Sequence, residues 1–487
     1  MGVTMYDTQP RGIVPLGQGE LNAAERQVAR GLRRRSLAPA ELGLIVAAVD
    51  VALVALALWC AAAVSGGAGW GMAARAVCAG VAVALCLQAL RGYRLRLLRR
   101  FWPGLLLAVA AGWGAGWLTG AVVWPAVSAA FLASFLLFGR LFARTLAGWA
   151  LDFGLTERRA VVVGGGPLAA KLLDGLAANP ENDIRICAIF DDRSNERSPP
   201  VVMAVPKIGA IRDLLPFART AEIDMVIIAL PLTAEERTRQ IMRQLEVLPV
   251  DIRLSAYSAD MTFLRRNDRV RKVPALLSLA VTPLSEWDRI AKRALDIVLT
   301  SVALLLLGLP MLAIAIAIRL DSPGPVLFRQ ARHGYNHKPV MVWKFRSMYA
   351  RDCDAAAKRV VTKDDPRVTP VGRFLRRTSL DELPQLFNVL GGQLSLVGPR
   401  PHALVALSSQ QVAFAEMVDS YAARHRMRPG ITGWAQVNGW RGEIDEPEKL
   451  RRRIEHDLYY IENWSIWFDL RILLMTPFHV LEGRNAY

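Results

Sequence analysis

The chain has 487 residues, of which 53% are hydrophobic, a mean hydropathy of +0.25 and a net charge of +17. This length predicts two to four domains, and the apolar content argues against a wholly soluble protein. The charge requires an anionic partner, and without any nucleic-acid-binding motif we expect lipid headgroups and phosphorylated substrates, not nucleic acid. The five cysteines form no CxxC pair, which favours free thiols over disulfides or a zinc site.

The N-terminal third predicts a membrane domain. Residues 1–40 are polar and arginine-rich, which is typical of a disordered cytoplasmic tail and not of a signal peptide. Residues 41–146 predict four transmembrane helices, because the last apolar run is long enough for two. The runs are Leu42–Val64, Ala68–Leu90 and Phe101–Gly139. Arginines in the tail, in the second loop and after the fourth helix place those parts in the cytoplasm. Asp50, inside the first run, is either a helix–helix contact or an intramembrane functional site.

Residues 155–275 predict a Rossmann-like α/β domain, because short apolar strands alternate there with helical segments. The stretch GGGPLA (164–169) follows the first strand and matches the pattern whose glycines cradle a pyrophosphate. Gly164 and Gly166 are therefore candidates for binding a nucleotide cofactor. The last glycine of the pattern is alanine, and the acidic residue after the next strand, Asp191, comes late. A purely structural turn is the alternative.

A further membrane segment follows this domain. Ile297–Ile318 is an uncharged run of spanning length, with Pro310 in its middle and basic residues on both flanks. Positive charge on both sides suits a segment that enters and leaves by the same face, and a proline inside a helix bends it. We therefore predict a re-entrant helix over 293–320 with its kink at Pro310. A straight span is the alternative.

The rest of residues 285–487 predicts an α-rich cytoplasmic domain. Segment 463–474 suits a helix in the membrane interface or an amphipathic core helix. The densest group of charges is RFLRRTSLDELPQ (373–385), in which Asp381 and Glu382 follow three arginines. One interpretation is a capping box at the start of a helix. The other is a phosphate-transfer site, in which arginines bind phosphate, one carboxylate is the nucleophile and its neighbour holds Mg²⁺.

Four stretches of the C-terminal part carry a specific resemblance. They are SPGPVLFRQARHG (322–334), KFRSM (344–348), DDPRVTPVGRFLRRTSLDELPQLFNVLGGQLSLVGPRP (364–401) and RPGITGWAQVNGWRG (428–442). In this order they resemble the polyprenyl phosphoglycosyltransferases, bacterial sugar transferases of the inner membrane. Four helices and a degenerate nucleotide fold before them resemble the long members of the family. The stretch RPGITGWAQVNGWRGEID and the ending at Tyr487 are similar to the undecaprenyl-phosphate glucose phosphotransferases, which start exopolysaccharide repeat units.

The resemblance implies a two-step transfer. Asp381 would attack the sugar-bearing phosphate of a UDP-sugar, expected to be UDP-glucose, and UMP would leave. Undecaprenyl phosphate would then take the sugar phosphate from Asp381. Glu382 is implied as the Mg²⁺ ligand and Pro310 as the break in the family's re-entrant helix. The other expected substrate or phosphate contacts are Lys344, Arg346, Arg376, Arg400 and Asp457.

Several alternatives stay open on the sequence. The same reaction with UDP-galactose or a UDP-N-acetylated sugar is one, because a few hydrogen bonds decide between such sugars. A membrane-anchored nucleotide-sensing protein working through the Gly164 loop is another, and an oligomeric scaffold or transport component is a third. The sequence also leaves open whether the chain forms a homo-oligomer. We expect a multi-pass protein of the bacterial inner membrane, in contact with the lipid bilayer, whose catalytic domain is cytoplasmic.

Overall fold

The fold is given by a computed structural model, whose secondary structure falls in two compact units. One unit is Arg34–Arg158, and the other comprises Met1–Arg33 and Arg159–Tyr487. The structure describes residues 23–32, 39–64, 70–89, 109–111, 113–114, 117–118, 125–152, 157–178, 183–255, 276–352, 365–402, 419–440 and 447–481.

The N-terminal tail contains a docked helix, α1 (Ala23–Gly31). Ala29 is fully buried in the core of the α/β domain, and Val28 and Leu32 pack against that core. Arg159 at the start of that domain donates from Nη1 to the Leu32 carbonyl at 2.7 Å. The prediction of a disordered tail over residues 1–40 is therefore wrong for this part, because a few apolar residues on one helix face suffice for docking. Residues 1–22 and 33–38 lie outside the described residues.

Within the described residues of the unit Arg34–Arg158 lie three long apolar helices, α2 (Pro39–Val64), α3 (Trp70–Ala89) and α4 (Pro125–Asp152). Helices α2 and α4 are long and apolar enough to cross a membrane, whereas α3 has a shorter apolar stretch. Gly80 lets α3 approach α2 closely, since a Cβ there would lie 2.6 Å from the Val51 carbonyl oxygen. Asp50 is buried, and Gly139 of α4 lies beside it, as a helix–helix contact requires. The predicted third helix falls largely on residues outside the described part of the chain.

The next domain is the expected α/β fold. Its seven strands are β1 (Arg158–Val163), β2 (Ile184–Phe190), β3 (Val201–Val202), β4 (Val205–Gly209), β5 (Met225–Ile228), β6 (Asp251–Ser255) and β7 (Leu276–Ala280), in the order β3-β4-β2-β1-β5-β6-β7. The central pairs are parallel, and β3 and β7 join the edges antiparallel. Helices α5 (Pro167–Ala177), α6 (Leu214–Thr220) and α7 (Glu235–Leu245) connect the strands. Continuous apolar runs in β1 and β5 are buried, as central parallel strands require.

The C-terminal domain is mixed, with two small sheets among its helices. The hairpin β8 (Leu327–His333) and β9 (Pro339–Phe345) is antiparallel, and β10 (Ser395–Val397) pairs parallel with β11 (Gly430–Thr432). Its helices are α8 (Glu286–Asp321), α9 (Pro370–Thr378), α10 (Gln385–Leu390), α11 (Trp434–Val437), α12 (Pro447–Glu462) and α13 (Ile466–Leu481). One core, including Val342, Leu394 and Tyr460, joins the hairpin, β10 and α12.

Helix α8 is the apolar segment that was expected to be re-entrant. It runs for 36 residues through Pro310, and side chains near its middle are exposed, Leu305 at 84% and Leu309 at 80%. Both of its ends are fixed to the same domain. Near its start Arg293 donates to the Val389 and Leu390 carbonyls, and near its end Ile318 packs with the core of β9 and α9.

A buried lysine anchors the start of α8. Lys292 Nζ donates to Asp469 Oδ2 at 2.6 Å, to the Val397 carbonyl at 3.0 Å and to the Tyr460 hydroxyl at 3.1 Å. Asp296, one turn later, accepts from the Ser395 hydroxyl and the Leu396 amide. These bonds connect the membrane helix directly to β10 and α13.

We expect Lys292→Met to lower the free energy of unfolding by about 3–5 kcal/mol, because Asp469 would stay buried without its cation. Replacing both partners, Lys292→Met with Asp469→Leu, should recover much of that loss. Thermal unfolding in detergent measures both variants, with Arg289→Met on the exposed part of the same helix as the control. A single variant as stable as this control would contradict the anchoring role.

Candidate active site

Asp381 and Glu382 lie in a single 3-10 turn between two short helices. Thr369 caps the start of helix α9, where its hydroxyl accepts from the Gly372 amide at 3.0 Å, and Ser379 follows the last residue of the helix. Ser379 has a φ of 58°, in the left-handed region that non-glycine residues rarely occupy. This turn of the backbone directs the next residues inward, and Pro384 then begins α10.

The capping-box interpretation is wrong. The Ser379 side chain caps no helix, and it is the Ser379 carbonyl that accepts from the Glu382 amide, at 3.2 Å. Pro384 stands at the N-cap of α10, where a proline disturbs no helix hydrogen bond. The two carboxylates are therefore not the first turn of a long helix. They are nonetheless buried, Asp381 at 9% and Glu382 at 8% exposure.

Glu382 is held by two cations from other elements. Lys344 of β9 donates to Oε1 at 2.8 Å. Arg400, three residues after β10, donates from Nη2 to Oε1 at 2.6 Å and from Nη1 to Oε2 at 3.3 Å. The attraction of Glu382 raises the pKa of Arg400, whereas burial lowers the pKa of Lys344. Three segments that are distant in sequence thus meet at one carboxylate.

Asp381 differs from its neighbour, because no hydrogen bond to its carboxylate is found within the described residues. Burial raises its pKa, Glu382 adds to this effect, and the cations Lys344, Arg376 and Arg400 oppose it. A carboxylate that is basic, lightly solvated and surrounded by cations has the properties of a nucleophile for an anionic substrate.

Sequence reasoning missed Arg332 as a member of this site. Burial lowers its pKa to about 10, and its charged neighbours are Arg400, Glu382 and Asp381. The hairpin register contains the missing signal: Phe328 pairs with Lys344, and Arg332, four residues later on β8, projects from the same face.

Of the residues expected to bind substrate, Lys344, Arg376 and Arg400 lie at the carboxylate pair, and two lie elsewhere. Arg346 donates to the Pro323 carbonyl at 2.6 Å and the Ser322 carbonyl at 2.7 Å, and so fixes the loop after α8. Asp457 is buried, and Arg424 Nη2 lies 2.6 Å from its Oδ2. Substrate contact by these two residues stays a prediction.

The glycine loop of the α/β domain is bound by two residues that follow the second strand, Asp191 and Arg193. Gly164 has a φ of +102°, which explains a glycine there, and the Gly165 amide donates to Asp191 Oδ2 at 2.7 Å. Arg193 lies against Gly166 and binds the same oxygen at 2.7 Å. Burial raises the pKa of Asp191, but the bonds from Arg193 and Gly165 outweigh this and hold it at about 2. Nucleotide binding by Gly164 and Gly166 stays a prediction.

The chemistry of the carboxylate pair is compatible with Mg²⁺. This ion keeps several waters and commonly binds through one or two carboxylates together with substrate phosphates. Among the described residues, no group of three or more histidine, cysteine, aspartate or glutamate side chains is placed to hold a metal. Both oxygens of Glu382 already accept from cations, so the ion would have to share them.

Apolar helices long enough to span a bilayer, together with a buried carboxylate pair among cations, define a membrane-associated protein with a site for an anionic substrate. The sequence profile of the bacterial sugar transferase family matches residues 287–483, and that of a CoA-binding domain matches residues 88–256. A UDP-glucose:undecaprenyl-phosphate glucose-1-phosphate transferase of Escherichia coli (strain K12) is 40% identical over 342 residues, 70% of this chain and 71% of that protein. The chain belongs to the bacterial sugar transferase family.

Two further relatives mark what varies in the family. Exopolysaccharide production protein PSS of Rhizobium leguminosarum bv. phaseoli is 50% identical over 189 residues, which are 39% of this chain and 94% of that protein. An undecaprenyl-phosphate galactose phosphotransferase of Salmonella typhimurium (strain LT2) is 31% identical over 356 residues, 69% of this chain and 70% of that protein. The first relative is thus little longer than the matched segment, and the second is named for another sugar.

Proposed function

We propose that this protein transfers glucose-1-phosphate from UDP-glucose to undecaprenyl phosphate and releases UMP, as the first step of exopolysaccharide repeat-unit assembly. The observation that carries the proposal is an excess of positive charge around Asp381 in the part of the chain that the structure describes. The carboxylates there are Asp381 and Glu382, and the cations are Arg332, Lys344, Arg376 and Arg400. A diphosphate would neutralise that excess.

The reaction proceeds in two displacements at one phosphorus. Asp381 Oδ bonds to the sugar-bearing phosphorus of UDP-glucose, the bond to the UMP oxygen breaks, and UMP leaves with the electron pair. A phosphate oxygen of undecaprenyl phosphate then attacks the same phosphorus and restores the Asp381 carboxylate. Arg376 and Arg400 are placed to offset the repulsion between the anionic nucleophile and the diphosphate.

Mg²⁺ is proposed as the cofactor, with Glu382 as its ligand. When bound, the ion would neutralise charge on the diphosphate and on the leaving UMP. The roles of the chain's own residues do not depend on it. Lys344 and Arg400 hold Glu382, and Asp381 stays available to the substrate.

A panel of UDP-sugars tests the substrate. Purified membranes containing the protein are given undecaprenyl phosphate and UDP-glucose, UDP-galactose or UDP-N-acetylated sugars in turn, and UMP is measured. The expected result is fastest release from UDP-glucose. Faster release from UDP-galactose would replace the sugar but keep the reaction, and no release from any of them would contradict the proposed function.

The proposed topology of the N-terminal part is four spans with both ends in the cytoplasm. Helix α1 packs in the core of the α/β domain, and that domain follows α4 in the chain. This packing supports a segment between them that begins and ends on the same side of the membrane, as it does with an even number of crossings. The α/β domain also contacts the hairpin of the catalytic domain, where Asn336 Nδ2 donates to the Ala218 carbonyl at 3.2 Å. These contacts support a single, cytoplasmic side for α1, the α/β domain and the catalytic domain.

The re-entrant path of α8 is proposed on similar grounds, because both of its ends bind the same domain. In a background without native cysteines, Arg289→Cys and Lys338→Cys should both react with a membrane-impermeant thiol reagent from the cytoplasmic side only. Reaction of Lys338→Cys only from the periplasm would establish a straight span. Pro310→Leu restores the missing helix hydrogen bond and favours a straight helix, so UMP release should fall by about tenfold or more.

A further inference from the structure

Arg424 is a buried guanidinium beside the loop that carries Arg400. Its side chain is only 1% exposed, and it is among the largest fully buried side chains of the described residues. Nη2 lies 2.6 Å from Asp457 Oδ2 and donates to the Arg400 carbonyl at 2.8 Å. Nη1 lies 2.7 Å from His402 Nδ1. A group this buried acts on the reaction through its neighbours.

Those neighbours belong to the loop that presents Arg400 to Glu382. Five of the six carbonyls along residues 397–402 accept from a donor in another segment. Val397 accepts from Lys292 and Tyr460, Pro399 from the Gly430 amide, Arg400 from Arg424, Pro401 from Arg332, and His402 from the His333 amide. A loop held at so many points has one backbone position, and preorganised charge is what stabilises a transition state. Arg424 supplies the contact at Arg400 itself.

We propose that Arg424, held in place by Asp457, is a positioning residue that fixes Arg400 for sugar-phosphate transfer. The inference rests on the proposed function. The planar guanidinium binds two acceptors at once, which an ammonium group does with less geometric constraint. Asp457 supplies the counter-charge that lets Arg424 stay buried beside Arg400 and Arg453. Asp457 therefore acts two steps from the substrate: it holds Arg424, and Arg424 holds Arg400.

The competing explanation is that the Arg424–Asp457 pair merely fastens α12 to the fold. A double-mutant cycle separates the two explanations, because residues that act through one another have non-additive effects. Single-turnover UMP release is measured for the wild type, Arg424→Lys, Arg400→Ala and the double variant, using the UDP-sugar that the wild type turns over fastest. Arg424→Lys keeps the positive charge but loses the planar guanidinium that binds two acceptors. If Arg424→Lys does not fold, Asp457→Asn takes its place in a second cycle.

Arg424→Lys alone is expected to lower the rate of UMP release by about 10- to 100-fold. When Arg400 is already alanine, the same substitution should lower the rate by less than about 3-fold. Arg346→Lys is the matched control: Arg346 is another buried arginine bound to carbonyls, and its effect should be the same factor in both backgrounds. An equal factor for Arg424→Lys in both backgrounds would overturn the positioning role while leaving the proposed function intact. A wild type that releases no UMP from any UDP-sugar would contradict both.

Discussion

Asp381→Asn is expected to lower UMP release by about 10⁴-fold or more, since loss of a covalent nucleophile removes the whole pathway. Asparagine keeps the shape of the side chain but has no negative charge. Because Asp381 makes no hydrogen bond among the described residues, the substitution should leave the melting temperature almost unchanged. Single-turnover UMP release and thermal unfolding of the same preparation test the two statements together. Retained activity would contradict the role of nucleophile, and a lowered melting temperature would contradict the expected stability.

The covalent intermediate gives the sharper test. Enzyme incubated with radiolabelled UDP-glucose and no lipid acceptor should retain label at Asp381, and hydroxylamine should release it, as expected for an acyl phosphate. An active enzyme that never becomes labelled would point to direct attack by the lipid phosphate. Since burial raises the pKa of Asp381 and the reaction needs the ionised form, activity should be lost as the pH falls through that raised value.

The sequence located the carboxylate pair but not its whole environment. Asp381, Glu382, Arg376 and Arg400 belong to one contiguous motif, so local pattern was enough to group them. Arg346 lies apart from this pair because β9 ends at Phe345, and the alternation that places Lys344 toward the site does not extend past that end. The alternation of side chains along a strand can be predicted from sequence, but the residue at which the strand ends depends on its pairing with the neighbouring strand.

Two other features depended on long-range packing that local pattern does not contain. Helix α1 docks on a domain that begins far along the chain, and the bond between Arg159 and Leu32 spans 127 residues. Asp457 stands on α12, whose sequence does not indicate which of its polar residues turns inward to Arg424. In both cases a charged residue, Arg159 or Asp457, makes a contact inside the fold, although composition alone assigns such residues to the surface.

Glu382→Gln is expected to lower UMP release by about 10²- to 10³-fold, comparable with the loss of one charge-stabilising group in other enzymes. Glu382 could act as the Mg²⁺ ligand or by holding Lys344 and Arg400, and a Mg²⁺ titration of the variant distinguishes these two roles. If Glu382 acts chiefly as the metal ligand, a weakened Mg²⁺ site should be partly restored at high Mg²⁺. If it acts chiefly by holding Lys344 and Arg400, excess metal restores nothing, because the glutamine amide cannot hold two cations. Asp381→Asn is the control, since Mg²⁺ should not rescue it.

The pH dependence of activity gives a second test of Glu382→Gln, because Glu382 lies in contact with Lys344. Burial lowers the pKa of Lys344, and the attraction of Glu382 is the largest influence that opposes this effect. Without the Glu382 charge the pKa of Lys344 should fall further, so Lys344 would lose its proton at a lower pH than in the wild type. The alkaline side of the activity profile should therefore move to lower pH in Glu382→Gln. An unchanged alkaline side, together with rescue by Mg²⁺, would mean that metal binding is the dominant role of Glu382 and that its ion pairs contribute little to the reaction.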